Sequence, residues 1–226
     1  MDGLGLYIAF LIPPLLLGFA VQAWLKSTFA KNANVAVRSG LSGAEVARTI
    51  LDRNGLGHVP VESSPGGPLS DHYDPRKRAV FLSEPVFHGR SISAAAVGAH
   101  EVGHAIQHAK AYKPMQLRSA MWPAVAVASQ GWMFLLIGGF IFQATGLITI
   151  AVAVYAVVVL FQLVTLPVEF DASRRAGAQL AALGLVTEDE RGGVRKVLTA
   201  AAMTYVAGAL AALSQLIYFF LLTRRG

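Results

Sequence analysis

The 226-residue chain has no cysteine and little charge: only 14% of its residues are Asp, Glu, Lys or Arg. Without cysteine there is no disulfide framework, no thiolate metal site and no cysteine nucleophile. The usual charged share is about 25%, so the shortage excludes a disordered tail or a charge-laced coiled coil. Apolar residues make up 54% of the chain, above the roughly 45–50% of soluble domains. A membrane protein remains, and the charge it does carry is unevenly placed.

A helix needs roughly 20 apolar residues to cross the hydrocarbon. Four stretches qualify: residues 4–25, 121–142, 147–166 and 200–222. The first holds Pro13 and Pro14, which a membrane helix tolerates when neighbours satisfy the freed carbonyls. It reads as a retained anchor rather than a signal peptide, because Met1, Asp2 and Gly3 carry no positive charge and Trp24 and Lys26 suit an interface. Only residues 143–146 separate the second and third stretches, which therefore form a hairpin. The strongly polar side chains within the spans are Gln22, Gln130, Gln162 and Gln215, no basis for the charge relay of an ion transporter.

Lys and Arg set the orientation. Twelve lie between Lys26 and Arg118, five between Glu169 and Thr199, and none at the hairpin tip. Four spans put the first two groups on one side, so seventeen of nineteen basic residues share a face. The positive-inside rule makes that face cytoplasmic and leaves Arg224 and Arg225 opposite. The net charge of +6 then marks sidedness. Nucleic acid is not an expected partner, since no arginine–aromatic interleaving or recognised motif is present.

The 27–120 stretch is long enough to fold. Ser42 and Glu45 form a capping box ahead of the apolar stripe Val46, Ile50 and Leu51, with Gly55 ending the helix. Residues 59–62 predict a short strand, 63–68 a Pro/Gly/Ser loop, 71–75 a turn, and Ala79–Ser83 a second strand. Ser91 or Ser93 caps an Ala-rich helix that runs to about Ala109 and cannot easily pass Pro114. Residues 169–183 predict a helix ending at Gly184, and Thr187 and Glu190 a second capping box.

Within the Ala-rich helix lies His100-Glu101-Val102-Gly103-His104. Residues four apart share a helical face, so two imidazoles can grip one ion while Glu101 reaches a water on it. Zinc lowers the pKa of such a water to about 7, and an adjacent carboxylate can shuttle its proton to a leaving amine. Zinc suits imidazole, and no thiolate competes. Ala94, Ala95, Ala96, Gly98, Ala99 and Gly103 give the helix a small-residue surface for close packing.

A catalytic zinc normally has a third protein ligand. His108 lies eight residues from His100, about 12 Å along the axis at 1.5 Å per residue, so it reads as a helix-end residue or a partner to the ligands. The metzincin spacing needs glycine at 107 and histidine at 110, where Gln107 and Lys110 stand. Glu169 is the better candidate. The hairpin returns it to the face of His100 and His104, and an acid at the end of a span needs a strong partner. Asp171, two residues on, is the reserve ligand.

Beyond this motif, residues 69–75, 81–83, 99–108, 166–176 and 201–205 together resemble the YugP-type neutral zinc metallopeptidases of bacterial membranes, over almost the whole chain. More distantly the chain is similar to membrane gluzincins of the HtpX and CAAX-protease type. In those the third ligand opens a Glu-x-x-x-Asp motif. Glu169 matches the glutamate, whereas Ser173 replaces the aspartate and leaves the histidines' hydrogen-bond partner unassigned. By the same resemblance, Ala79, Val80, Phe81, Leu82 and Ser83 would be the edge strand to which a peptide substrate pairs. His72, Tyr73, Arg174 and Tyr205 are candidate donors to the oxyanion of peptide hydrolysis.

The expectation is a mainly α membrane protein with four transmembrane helices and a small α+β zincin-like domain carrying the His-Glu-x-x-His helix. Its parts are an anchor (1–26), a catalytic domain (27–120, metal helix 91–109), a transmembrane hairpin (121–168), a third-ligand helix and loop (169–199), and a last transmembrane helix and tail (200–226). It would be a zinc endopeptidase of the bacterial plasma membrane, catalytic face in the cytoplasm, acting on peptide or membrane-protein substrates above the bilayer. The metal helix is too polar around Arg90, His108 and Lys110 to span. The competing reading is a membrane scaffold or assembly factor with a structural or vestigial zinc site, which a fourth protein ligand such as His108 or Asp171 would favour.

Overall fold

The computed structural model describes residues 3–67 and 69–223; Met1, Asp2, Pro68 of the expected loop and the arginines at 224 and 225 lie outside them. Four helices are long and apolar enough to cross a membrane: α1 (Gly3–Ala33), α5 (Lys113–Ile141), α6 (Thr145–Ala182) and α7 (Glu188–Thr223). All four run beyond the apolar stretches expected of them, α6 and α7 the furthest. The third apolar stretch and the helix after residue 169 are one element, because α6 runs through Pro167. Proline forfeits one backbone N–H, a loss that packing against neighbours can absorb. The fourth stretch likewise begins at Glu188, ahead of its apolar run. There only half of the capping box forms. The Glu190 carboxylate accepts from Thr187 N–H at 2.7 Å, while Thr187 Oγ1 has no partner.

The chain divides into two compact units whose boundaries fall within these helices. One comprises Met1–Gln22, Gln116–Pro167 and Thr204–Gly226. Its interior is an aromatic cluster in which Trp132 lies 4.6 Å from Tyr155 and 5.6 Å from Phe219. Large apolar side chains such as Val127, Phe134 and Ile141 are exposed. Water would penalise so much bare apolar surface and lipid would not.

The other unit comprises Ala23–Met115 and Val168–Met203. Helix α2 (Gly43–Arg53) opens on the complete Ser42–Glu45 capping box and buries Val46, Ile50 and Leu51. A three-stranded sheet follows, β1 (Val61–Ser64), β2 (His72–Asp74) and β3 (Ala79–Ser83). Residues 72–74, expected within a turn, are a strand. The turn comes just after, where the Asp74 carboxylate accepts from the N–H groups of Arg76 and Lys77 at 2.7 and 3.1 Å. The sheet order is β1-β3-β2, with β1 parallel and β2 antiparallel to β3. The expectation that Ala79–Ser83 is an edge strand is therefore corrected. It is the central strand, paired on both sides and buried at all five positions. Its apolar Ala-Val-Phe-Leu run is what burial on both faces requires.

A short helix α3 (Glu84–Phe87) leads to α4 (Ile92–Ala109), whose first turn is capped by Ser91 Oγ accepting from Ala94 N–H at 3.2 Å. Helix α4 is buried along most of its length. Glycine makes this possible at two points. A Cβ on Gly98 would lie 2.5 Å from the Gly43 carbonyl oxygen of α2, and one on Gly103 would lie 2.6 Å from the Ala172 carbonyl oxygen of α6. The second approach lets α4 and α6 share one set of polar side chains.

Gly103→Ala must push α4 and α6 apart, at a cost of roughly 1–3 kcal/mol. Its thermal midpoint in detergent is expected to drop, while Gly177→Ala, whose Cβ meets nothing within 4 Å, holds or rises. A Gly103→Ala midpoint equal to wild type would contradict the close approach.

Candidate metal centre

His100 and His104 project from consecutive turns of α4, their ring centroids 4.8 Å apart and nearly perpendicular. From α6 the Glu169 carboxylate, 1% exposed, enters between them. Its Oε2 lies 3.3 Å from His100 Nε2 and 3.5 Å from His104 Nε2. One ligand atom from each of the three lies within 4.8 Å of the others, so the set could hold a metal ion. Tetrahedral zinc with bonds of about 2.0–2.1 Å sets neighbouring ligand atoms about 3.4 Å apart. Both carboxylate–imidazole distances fit that spacing, and two imidazoles with a carboxylate are a donor set zinc accepts.

The outward nitrogens of both rings are held. Ser173 Oγ lies 3.2 Å from His100 Nδ1, and Gln107 Oε1 lies 3.0 Å from His104 Nδ1. When each Nδ1–H donates to its oxygen, the Nε2 lone pairs are left free for an ion. Ser173 thus stands where the resemblance called for an aspartate. Gln107, fully buried, is held in turn, its Nε2 donating to Val168 O at 2.7 Å and to Asp171 Oδ2 at 3.0 Å. Asp171, the expected reserve ligand, lies outside the group that could hold an ion. Its carboxylate accepts from Gln107, Arg174 and Arg175.

Glu101, one residue past His100, is buried, with the Tyr73 backbone of β2 close to its carboxyl. Burial pushes its carboxyl up to about 7, with the charges of Glu169 and Asp71 adding to the rise and His100 opposing it. Asp71 is raised as well, chiefly by burial, although it accepts from Ser83 N–H at 2.8 Å and from the Ser83 hydroxyl. Tyr73 Oη lies 2.9 Å from His108 Nδ1 at the end of α4. Burial, helped by Arg78, holds the His108 imidazole below its ordinary pKa. His108 is thus a helix-end residue tied to the sheet, as its spacing implied.

Two of the remaining candidates have other partners. His72 is exposed, stacked on Phe81 at 5.0 Å with its Nδ1 2.9 Å from Ser70 O. Arg174 is largely exposed and paired with Asp171. Tyr205 belongs to the other unit. Two residues escaped the sequence reading, Gln107 and Asp71. Gln107 carried a signal, since a buried amide three residues past a histidine, on that histidine's own helix face, must find partners.

A family model described as "Putative neutral zinc metallopeptidase" matches residues 7–224. Among curated proteins, the chain is 47% identical over 221 residues to the "Putative membrane protease YugP" of Bacillus subtilis (strain 168), covering 98% of each. No solved structure matches.

Two outcomes follow from this geometry. Gln107→Leu strips the His104 Nδ1 partner and strands the Asp171 side of the network; zinc affinity, read by competition with a chromogenic chelator, should fall roughly 10–100-fold. In chelator-treated protein, Glu101 is favoured protonated in the folded state. Its contribution to stability is full below about pH 4.5 and is lost as pH rises to about 7. Relative to Glu101→Gln, the metal-free wild type should therefore lose roughly 3 kcal/mol between those limits. A pH-independent difference between the two thermal midpoints would contradict the burial of Glu101.

Proposed function

This chain belongs to the neutral zinc metallopeptidase family, and from that premise we propose that it is a membrane-embedded, zinc-dependent endopeptidase of gluzincin type. In this reading His100, His104 and Glu169 hold the zinc, and Glu101 is the general base and then the general acid. The observation that carries the reading is the convergence of three ligand side chains with a buried carboxylate beside them. When bound, zinc would lower the pKa of a coordinated water to about 7 and polarise the scissile carbonyl.

The chain's own groups do the rest. Glu101 takes a proton from the attacking water and passes it to the departing nitrogen, a task suited to a carboxyl perturbed toward neutrality. Ser173 and Gln107 fix the orientation and tautomer of the two imidazoles, so neither ring has to reorganise during turnover. Burial excludes competing water.

A structural ion site would call for a fourth protein ligand. Its two candidates are otherwise engaged, His108 with Tyr73 and Asp171 with Gln107 and two arginines. This favours catalysis over a scaffold. The unit that carries these residues would be the zincin-like domain, on the cytoplasmic face of a bacterial plasma membrane. The placement rests on the seventeen basic residues assigned to that side.

Glu101→Gln separates the roles. Protein purified without chelator should keep one zinc per chain, while peptide termini generated in cells by the wild type should be absent from cells carrying the variant. Cleavage by Glu101→Gln at the wild-type rate would overturn the mechanism. Loss of the zinc with it would move Glu101 from proton transfer to metal retention.

A further inference from the structure

A cavity lies in the same unit, between residues 170–178 of α6 and 191–202 of α7, with a volume of about 370 Å³. Three guanidinium groups line it, those of Arg174, Arg191 and Arg195, and no carboxylate does. Its other walls are mostly apolar, with Phe170, Val194, Leu198 and Ala202 among them. The pattern follows from helical spacing. Arg191 and Arg195 are four apart on one exposed strip of α7, and the buried Val194 and Leu198 are four apart on the neighbouring strip. Arg174 and Arg191 have local acidic partners, Asp171 and Glu188. Arg195 has no hydrogen-bond or ion-pair partner among the described residues.

We propose that this cavity binds the headgroup of an anionic phospholipid, with the guanidiniums on the phosphate and the apolar wall against the glycerol and upper acyl chain. Three observations select that occupant. Charge is complementary, and arginine's planar fork matches phosphate oxygens in pairs. The height also fits. Arg195 lies five residues ahead of Ala200, where the apolar run of α7 begins, about 7.5 Å at 1.5 Å per residue. The headgroup layer extends about 5–7 Å beyond the hydrocarbon on each side. A basic recess between helices at this level is where anionic headgroups bind. Finally, the lining is too apolar for free phosphate to be its main ligand.

The cavity is not the peptide cleft. Ser173 lines it, and Ser173 touches His100 at Nδ1, while the ring's Nε2 faces Glu169. A bound lipid would therefore sit behind the imidazole, on the side away from the ion. The proposal does not depend on the peptidase reading.

The test is native mass spectrometry of the full chain in neutral detergent, titrated with phosphatidylglycerol or phosphatidylcholine. Wild type should retain phosphatidylglycerol with a preference of roughly 30-fold or more, as two or three guanidiniums at about 1 kcal/mol each would give. Arg191→Gln/Arg195→Gln should bring the two lipids close to parity. Lys196→Gln, with its charge on the same helix but outside the cavity, should keep the preference. Equal retention of both lipids by wild type would overturn the proposal without reference to any variant. So would a Lys196→Gln effect as large as that of the double variant, which would mean diffuse surface charge. Displacement of the lipid by inorganic phosphate or by a glutamate-rich peptide at equal concentration would overturn it too. Zinc content, measured in parallel, should be the same in all three proteins, so failure here is separable from failure of the metal site.

Discussion

Burying carboxylates is expensive, and this protein does it at least twice within one pocket. Glu169 and Glu101 are both buried, and Asp71 adds to the field that Glu101 feels. Arg174 and Arg175 are committed to Asp171. An uncompensated buried ion costs several kcal/mol, so such a group either takes up a proton or meets a cation. Glu101, pushed up to about 7, shows the first route. Two imidazoles around Glu169 prepare the second. A divalent cation between them relieves the pocket in one step, and the side chains behind it make sense as its supports.

Much of the surrounding architecture serves that convergence. His100 and His104 come from a helix that is mostly buried, possible because Gly98 and Gly103 let neighbouring backbones close in. Glu169 comes from a helix that keeps going through Pro167, so the ligand and its neighbours Asp171 and Ser173 are displayed at fixed helical angles. The Gln107 amide then links both helices, bonding His104 on its own and Val168 and Asp171 on the other. Each element is ordinary alone. Together they place three ligand atoms within 4.8 Å.

How far the sequence could foretell this depended on the range of the interaction. Local signals were legible. The Ser42 capping box, the start and end of α4, and the four apolar helices all follow from neighbours a few residues apart. That Glu169 joins the two histidines in a group that could hold a metal ion was legible for another reason, because the hairpin topology and the cost of an acid at a span end both pointed to it. Pairings across elements were not. Nothing local tells that Ala79–Ser83 lies between two strands rather than at an edge, since an all-apolar strand reads the same in either place. Nor does local sequence reveal that Asp171 turns to Gln107 and two arginines instead of an ion. The end of the apolar run at residue 166 made the helix from 169 read as a separate element, but tertiary packing outweighed the single N–H lost at Pro167.

The central claim is that two imidazoles and one carboxylate hold a zinc ion and leave a position open for water. X-ray absorption spectroscopy of the purified full-length protein tests it most directly. The account predicts one zinc per chain, with four N/O neighbours at about 2.0–2.1 Å. The outer-shell scattering should correspond to two imidazoles. Three imidazoles, a coordination sphere filled by four protein ligands, or protein that binds no zinc on reconstitution would contradict it.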